Sequence, residues 1–397
     1  CSRKVAVRNK YQVKCRLVEA IGQVLLRKVP TILAATALFS PAMVLAAPSG
    51  AEVVSGAASI QQSGLTTSIH QATSKAILNW DNFSIAGNET VNFLQPSSSA
   101  IALNRVVGAS PSQILGALNA NGQVFLVNPR GVFFGANSRV DVGGLVATTL
   151  NISNDDFNAG QYRFNRELDE LGSVVNAGEL RARDGGYIVL AGDEVENEGL
   201  AFAQLGKIAL ASGDQISLDL QGDGLIQFAV DTATATNFAG VRNSGQLMAD
   251  GGSVILTAKV SQDLLSTVVR NDGTIQAQSI QESAGEIYLI GEGGDTINTG
   301  TLDVSGSDVD GGIIHVLGER VGMTGSAIIN ADGVNGGDIR IGGDFQGSGE
   351  LQRAEKTTIL AGATISADGS VGAGGEVIVW ADGDTRFHAD ISATGVQ

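Results

Sequence analysis

Histidines and carboxylates are the side chains of this 397-residue chain that are most able to do chemistry. His70, His315 and His388 lie far apart in the sequence, and none has the spacing of metal ligands. Asp155-Asp156 and Asp382-Gly383-Asp384 could act as the paired carboxylates of a polysaccharide hydrolase. No segment has the G-G-x-G-x-D pattern of calcium-binding β-rolls or the G-x-x-x-x-G-K-[ST] pattern of a phosphate-binding loop. We therefore expect no metal and no cofactor.

Aspartates followed by glycine recur along the chain, at Asp184, Asp223, Asp250, Asp272, Asp310, Asp332, Asp368 and Asp382. Asp-Gly is a turn dipeptide, and a residue repeated in many turns is typical of architecture. These carboxylates therefore favour a non-enzymatic protein. The enzymatic alternative is a β-helical polysaccharide lyase or hydrolase, which requires carboxylates of neighbouring coils to converge about 5–9 Å apart.

Two kinds of strand-like segment alternate through the second half of the chain, at a spacing near twenty residues. One kind is interrupted by a central Asn-x-Gly and occurs in residues 174–182, 241–249, 269–277 and 297–304. The other kind begins with glycine and occurs in residues 185–190, 251–256, 285–289, 311–316, 336–341 and 374–379. Such a period without a helical pattern is the signature of a stacked β solenoid. Gly and Asn would supply positive φ at the corners, and alternate apolar residues would fill the bore. The prediction is an all-β, right-handed, single-stranded parallel β-helix.

The composition agrees with a thin, repetitive structure. There are 53 Gly but only 13 Phe, 4 Tyr and 2 Trp, which are few large side chains for one thick core. The formal net charge is -16, and because residues 1–46 carry +7, the remainder carries -23. So acidic a surface repels phosphate backbones, and we expect no nucleic-acid partner.

The first 46 residues have the pattern of an extended signal peptide. A basic stretch ends at Arg27-Lys28, an apolar run follows, and Val44-Leu45-Ala46 offers small residues for cleavage between Ala46 and Ala47. This pattern implies the Sec machinery and signal peptidase as partners. The alternative, a membrane anchor, is disfavoured because the run is short and contains Pro41.

Both cysteines, Cys1 and Cys15, lie in this leader, so the remainder must be held together without disulfides. Because the first residue is not Met, we expect the true start to lie upstream. The repeat pattern also continues to the end of the chain, and we expect a longer shaft beyond Gln397.

Residues 121–149 form the densest apolar stretch, cut by turn residues into short runs. Asn128-Pro129-Arg130-Gly131 fits a type I turn in which the Asn side chain bonds its own backbone. The flanking strands are predicted at 123–127 and 131–134, and further strands at 139–142 and 145–149. The stretch is predicted to be one coil of a wound structure.

Several short motifs follow one another in order between residues 50 and 150: Asn79-Trp80, Phe83-Ser84-Ile85, Val91-Asn92-Phe93, Asn104-Arg105-Val106, Ile114-Leu115-Gly116, Asn121-Gly122, and Asn128-Pro129 with Gly131. In this order they resemble the amino-terminal secretion domain of the filamentous haemagglutinin family, the large exoproteins exported by two-partner secretion. Arg130 stands where family members usually have a second Asn.

The resemblance implies three regions: an extended signal peptide at 1–46, a two-partner-secretion β-helix domain at 47–290, and the start of a repetitive β-helix shaft at 291–397. It implies a secretion motif made of Asn104, Arg105, Asn121, Asn128, Pro129 and Gly131. The expected partner is a dedicated outer-membrane transporter with its periplasmic domains. The expected location is the medium or the cell surface of a Gram-negative bacterium, reached through the periplasm.

The resemblance further implies an adhesin or haemagglutinin that contacts a host-cell surface or its glycans. A contact-dependent toxin carrier would have the same secretion domain, so that alternative stays open.

Two local features are expected within the secretion domain. The aromatic residues cluster early, as suits a cap over the first exposed strand edge: Trp80, Phe83, Phe93, Phe125, Phe133 and Phe134. Residues 155–172 break the strand pattern with charges, which predicts an excursion outside the helix, either a hairpin or a short α-helix. A plain surface loop is the alternative.

Overall fold

The computed structural model describes residues 47–167, 172–219, 240–260, 267–281 and 283–396. These described residues belong to one compact unit. The predicted signal peptide, with Ala46 and both cysteines, lies outside the described residues, as does Asp223. None of the helices in the described ranges has the length and hydrophobicity needed to cross a membrane.

Short strands make up most of the described chain, with one short α-helix, α1 (Asn154–Ala159), and one 3-10 turn, Phe345–Gly347. The strands are β1 (Glu52–Ser55), β2 (Ala58–Ser63), β3 (Thr66–Gln71), β4 (Lys75–Trp80), β5 (Thr90–Leu94), β6 (Ile101–Val106), β7 (Ser112–Ile114), β8 (Ala117–Ala120), β9 (Gln123–Val127), β10 (Val132–Phe134), β11 (Arg139–Val142), β12 (Gly144–Thr148), β13 (Tyr162–Asn165), β14 (Ser173–Asn176), β15 (Glu179–Ala182), β16 (Tyr187–Gly192), β17 (Glu194–Asn197), β18 (Leu200–Phe202), β19 (Lys207–Ser212), β20 (Gln215–Leu218), β21 (Gly240–Asn243), β22 (Gln246–Met248), β23 (Ser253–Lys259), β24 (Thr267–Asn271), β25 (Thr274–Gln276), β26 (Glu286–Asn298), β27 (Thr301–Asp303), β28 (Ile313–Met323), β29 (Ile328–Asn330), β30 (Asp338–Ile341), β31 (Lys356–Ile359), β32 (Thr364–Ser366), β33 (Glu376–Val379), β34 (Asp384–Phe387) and β35 (Asp390–Ser392).

The chain visits three ladders of parallel strands in turn, coil after coil. The first ladder contains β4, β6, β9, β12, β16, β19, β23, β26, β28, β30 and β33; the second contains β7, β10, β14, β17, β21, β24, β26, β28, β31 and β34; the third contains β3, β5, β8, β11, β15, β18, β22, β25, β27, β29, β32 and β35. The long strands β26 and β28 take part in both the first and the second ladder. This is the predicted parallel β-helix, and β9, β10 and β11 are one coil of it.

The length of a coil varies more than the sequence pattern indicated. Val189 pairs with Ala209, twenty residues later, but Ala209 pairs with Ile255 in the next coil. The strands fix the pairing register, whereas the corners between strands accept extra chain. The predicted boundary after residue 290 falls inside β26, and that division of domains stays a prediction.

The sequence suggested that each repeated Asn-x-Gly segment is one strand. The structure divides the segment into two strands. In the first of these segments, β14 ends at Asn176, β15 begins at Glu179, and a corner lies between them. The glycines of these corners were predicted to supply positive φ, but they have a different role. A Cβ on Gly199 would lie 2.1 Å from the carbonyl oxygen of Gly178 in the coil before, and neither glycine has a positive φ. The corner needs glycine because two backbones approach closely.

One apolar cluster fills the bore through the stacked coils, and buried side chains from all three ladders contribute to it. Trp80 and Phe83 meet edge to face with ring centroids 5.3 Å apart, and Phe93 lies beyond Phe83 at 6.5 Å. Both separations suit favourable aromatic packing. These three rings close the bore at its first coil, as the predicted cap requires.

Antiparallel segments pair with the first strands of two of the three ladders. β1 pairs antiparallel with β4 on the first ladder, and β2 pairs antiparallel with β3 on the third. Ser49 forms an antiparallel bridge with Asn82 next to the second ladder. An open strand edge would otherwise invite pairing with another chain, so residues 49–63 act as a backbone cap.

The predicted excursion contains the short α-helix that was considered for it, but in its described part there is no hairpin, because its one strand pairs with a distant segment of the chain. Helix α1 is followed by β13, which pairs antiparallel with β20, so that Tyr162 lies opposite Leu218. Phe157 and Tyr162 pack against Phe125 on the outside of the first ladder, with centroid distances of 6.0 and 5.4 Å. Phe125 therefore belongs to a second, outer cluster and not to the cap.

Candidate functional site

The motif residues of β6 and those that follow β9 meet at one corner, where the first ladder passes to the second. Arg105 of β6 lies directly opposite Val127 of β9 in the ladder, and Asn128 is the next residue. We call residues 128–131 the Asn128 corner. Asn104, Arg105, Asn128, Pro129 and Gly131 thus lie on neighbouring coils near this corner, although the Asn104 and Arg105 side chains bond to other parts of the chain.

The Asn128 corner has the predicted turn bonds. The Gly131 N–H donates to the Asn128 carbonyl at 2.9 Å, and the Arg130 N–H donates to Asn128 Oδ1 at 3.0 Å. The fully buried Asn128 side chain also donates from Nδ2 to the Ser110 carbonyl and to Ser112 Oγ, each at 3.0 Å. Sequence reasoning missed these bonds, which tie the corner to the coil before it.

Asn104 and Arg105 are neighbours that point to opposite sides of β6. Asn104 is fully buried, and its Oδ1 accepts the Trp80 indole N–H at 3.0 Å. Because successive side chains of a strand alternate between faces, Arg105 points outward. Asn104 therefore bonds to the buried aromatic group of the first coil, whereas Arg105 makes its contacts on the outer face of the ladder.

The Arg105 guanidinium holds the excursion against the first ladder. Its Nε donates to Asn151 Oδ1 at 2.8 Å, and its NH1 donates to Asn154 Oδ1 at 2.9 Å. Its NH2 donates to the Ile152 carbonyl at 2.5 Å. Burial lowers the pKa of Arg105, while the Glu167 carboxylate opposes that shift. Arg105 is thus a half-buried clamp whose planar fork suits several acceptors at once.

Asn121 lies apart from the other motif residues, at the opposite end of β9. Its Oδ1 accepts the Gln95 N–H and its Nδ2 donates to the Gln95 carbonyl, both at 2.7 Å. The Gln95 side chain in turn donates to Gln71 Oε1 at 3.0 Å. Asn121 therefore fixes the corner between the third and first ladders, so the predicted motif divides between two corners.

The residue that follows the predicted cleavage point is buried, two residues before the backbone cap begins. Ala47 is 5% exposed, and its N–H donates to Glu89 Oε2 at 2.8 Å. Glu89 is itself 4% exposed and also accepts the Ala86 N–H at 2.8 Å. No sequence pattern drew attention to Glu89.

The residues considered for catalysis lie in separate places. Asp155-Asp156 form the first turn of α1, whereas Asp384 pairs with Arg386 at 2.7 Å. His315 packs edge to face on Tyr288, and burial together with the Arg340 charge lowers the His315 pKa. Within the described ranges, no group of three His, Cys, Asp or Glu residues could hold a metal ion.

Asp382 accepts the Trp380 indole N–H, two residues away, at 3.0 Å, but five of the other recurring aspartates accept hydrogen bonds from the next coil: Asp250, Asp272, Asp310, Asp332 and Asp368. Asp250 Oδ1 accepts the Gln278 N–H at 3.0 Å, and Asp310 Oδ1 accepts the Asn335 N–H at 3.0 Å. Asp368 accepts the Ser392 hydroxyl at 2.6 Å, and this bond holds the Asp368 pKa below its usual value. These carboxylates join coils to one another.

Comparison with known proteins places this architecture in a family. The family model described as the TPS (two-partner secretion) secretion domain matches residues 45–304. The crystal structure of the HMW1 secretion domain from Haemophilus influenzae superposes with a TM-score of 0.81 and 32% identity, covering 88% of this chain and 91% of that one.

Two curated relatives are heme/hemopexin-binding proteins of Haemophilus influenzae. They are 32% identical over 250 residues and 30% identical over 244 residues. The matches cover 61% and 56% of this chain but only 27% and 25% of the relatives, so the chain spans about a quarter of their length. The chain belongs to the family of TPS secretion domains, through which exoproteins are exported by a partner transporter.

Proposed function

We propose that this chain is the export domain of a secreted adhesin or haemagglutinin-like protein, and that the Asn128 corner helps to form the surface that its outer-membrane transporter recognises. The observation that carries the proposal is the family match across residues 45–304, which includes the corner where five motif residues meet. The chain would cross the inner membrane through the Sec machinery, be cleaved by signal peptidase after Ala46, and pass through the periplasm to the transporter's periplasmic domains.

The parallel ladders support a role for folding in export. Each coil presents a complete strand edge to the coil that follows, so a coil formed outside the cell would serve as a template for the next. The periplasm supplies no nucleotide energy, and stepwise folding outside would bias movement outward. A chain without cysteine after residue 46 also cannot be locked by a disulfide before it is threaded.

The domain would act by recognition and not by catalysis. The aspartates that recur at the corners bind neighbouring coils, as Asp250 and Asp310 do, which supports an architectural role. A β-helical polysaccharide enzyme would instead need carboxylates gathered in one cleft. The contact-dependent toxin carrier stays the alternative to an adhesin.

A second candidate function for the whole protein comes from its relatives, which are named for binding heme and hemopexin. In this reading the same export domain delivers a heme- or hemopexin-binding protein to the cell surface. Absorption spectra of the complete secreted protein, titrated with haem, would separate this candidate from an adhesin that binds only cell surfaces or glycans.

The test of the export proposal is the Asn128→Ala variant, expressed with its transporter. The change removes an acceptor for the Arg130 N–H and leaves Ser110 and Ser112 without their donor, at a cost of about 1–3 kcal/mol. We expect secretion to fall while synthesis continues, measured as the ratio of protein in the medium to protein in the cells.

Asn137→Ala is the matched control, because Asn137 is an exposed asparagine at the next corner of the same coil. Its secretion should equal that of the unchanged chain. Normal export of the Asn128→Ala chain would remove the Asn128 corner from the recognition surface.

A further inference from the structure

Glu89 is a buried carboxylate that the proposed function does not use. It is 4% exposed, and its Oε2 accepts two backbone N–H groups, from Ala47 and Ala86, each at 2.8 Å. Among the described residues, no Lys, Arg or His lies within ion-pair distance of it. A buried carboxylate without a positive partner is costly, so the position calls for a cation.

The backbone that carries Glu89 is held in place by its own turn and by the coil that follows. The Glu89 N–H donates to the Ala86 carbonyl at 2.9 Å, and the Glu89 carbonyl accepts the Ala117 N–H at 3.0 Å. A Cβ on Gly116 would lie 2.2 Å from the Ala86 carbonyl oxygen and 2.3 Å from that of Glu89. The turn at residues 86–89 is therefore clamped, and Glu89 cannot easily turn away.

The nitrogen that faces Glu89 is the one that cleavage after Ala46 would free. Before cleavage it is an amide with a single hydrogen and no charge. Cleavage would convert it to an α-ammonium group, with a positive charge and three donors, and the nitrogen already lies 2.8 Å from Glu89 Oε2. We propose that Glu89 is the binding site for the amino terminus created by signal-peptide removal.

The backbone at Ala47 supports the same conclusion. Its φ is +70°, in the left-handed region that L-residues other than glycine and asparagine seldom adopt. The steric conflict involves the carbonyl group of the preceding residue, and cleavage removes that group. The observed position of Ala47 thus suits a chain that begins there.

The consequence is a link between processing and folding. Ala47 lies just before Ser49, which bridges Asn82, and before β1, which pairs with β4. An ion pair between the Ala47 ammonium and Glu89 would anchor the chain directly before the backbone cap. The cap would then reach full stability only in the processed chain.

The inference rests on the processing step of the proposed function, and its test does not need export. The full chain is made in cells that lack the transporter, so that the processed form stays in the periplasm. It is purified and its strand content is checked by circular dichroism. Mass spectrometry should give Ala47 as its first residue.

The first readout is the rate at which an amine-reactive ester modifies the Ala47 α-amine at neutral pH. The rate should be at least about tenfold lower in the folded chain than in the same chain in guanidinium, since each unit by which an ion pair raises an amine pKa lowers the reactive fraction tenfold. Glu89→Gln keeps an acceptor oxygen but removes the charge, and should lose most of the protection. Glu52→Gln, at an exposed carboxylate of β1, is the control and should keep it.

The second readout separates an ion pair from simple burial. Inserting Gly-Ser between Ala46 and Ala47 moves the ammonium away while an amide N–H remains at Ala47. The insertion should lower the melting temperature of the original chain but produce no further drop in the Glu89→Gln chain. Equal drops in both chains would overturn the ion pair, as would an α-amine that reacts equally fast folded and unfolded.

A processed chain that begins at another residue would also overturn the inference, while leaving the export function intact. Conversely, a chain that is processed at Ala47 and protected by Glu89, but not secreted when the transporter is present, would contradict the export function alone.

Discussion

Buried amide side chains are satisfied by one another along the second ladder. Five fully buried asparagines, one per coil, form a column in which each Nδ2 donates to the Oδ1 of the next at 2.7–2.8 Å: Asn176, Asn197, Asn243, Asn271 and Asn298. The Nδ2 of Asn271 also donates to the Gly273 carbonyl, two residues on, at 3.3 Å. A buried amide that lacked such partners would be destabilising, so the loss of one asparagine leaves its neighbours in the column with unpaired buried groups.

Replacing an asparagine in the middle of the column should lower the free energy of unfolding more than replacing Asn298 at its end. In Asn243→Ala, Asn197 loses its acceptor and Asn271 loses its donor, which predicts a loss of about 2–3 kcal/mol. In Asn298→Ala only the bond from Asn271 is broken within the column, and about half that loss is expected. Urea unfolding midpoints measure both, and equal losses would contradict a cooperative column.

The sequence indicated four of these asparagines, all but Asn197, and did not indicate what they do. The Asn-x-Gly pattern placed them correctly at corners, because those residues are frequent in turns. Their partners lie in other coils at unequal distances, as from Asn197 to Asn243 and then to Asn271, so no fixed period reveals them. Arg105 is similar. Its place in the motif was visible, but its acceptors belong to an excursion whose path the sequence did not define.

At the scale of elements, the excursion explains why several strands of the first ladder are buried on both faces. In β19, every residue after Lys207 is buried, although alternate burial was expected. The outer residues are covered by α1, β13 and β20, whose apolar side chains form the outer cluster. The sequence predicted an excursion, yet its closing strand was not predicted because Tyr162 and Leu218 are far apart in the chain.

Removing the central ring of the excursion should loosen it without unfolding the coils. Phe157 is fully buried against Phe125 and Tyr162, and truncation of such a ring to alanine costs about 3–5 kcal/mol. In Phe157→Ala we expect faster proteolysis within residues 150–167 and an unchanged strand signal in circular dichroism. Phe345→Ala, at a phenylalanine that is 59% exposed, should change neither.

Global loss of the strand signal in the Phe157→Ala chain would contradict this expectation. It would show that the coils depend on the outer cluster for their stability. The bore has its own separate apolar cluster, which includes Leu126 and Leu145, and this is why we expect the coils to persist.

At the scale of the whole described unit, the first coil is closed by backbone hydrogen bonds as well as by aromatic rings. The sequence drew attention to the aromatics, and Trp80, Phe83 and Phe93 do lie in the first coil. The segment that covers the strand edge is mainly polar and exposed, however, as in β2. Composition does not reveal such a cap, because main-chain groups satisfy the edge whatever the side chains are.

The cap also indicates how the transporter could capture the chain before it folds. In the folded domain, β1 and β2 are each paired along one edge, with β4 and β3, so the N–H and C=O groups on that edge are occupied. In the unfolded chain those groups are available, and a strand edge on the transporter's periplasmic domains could bind residues 51–93 by strand addition. We therefore expect the unfolded chain to bind these domains more tightly than the folded one.

The Asn243→Ala variant makes this comparison possible in a single solution. At a urea concentration between the two unfolding midpoints, the original chain is folded and the variant is unfolded, so their affinities for the periplasmic domains can be measured side by side. Proline at Ser59 and Gln61 of β2 removes two backbone donors and should weaken binding of the unfolded chain. Equal affinity of the folded and unfolded chains would instead identify a folded surface as the recognition element. In that case the Asn128 corner, which exists only once β6 and β9 are paired, would be recognised in the folded domain without an earlier capture of residues 51–93.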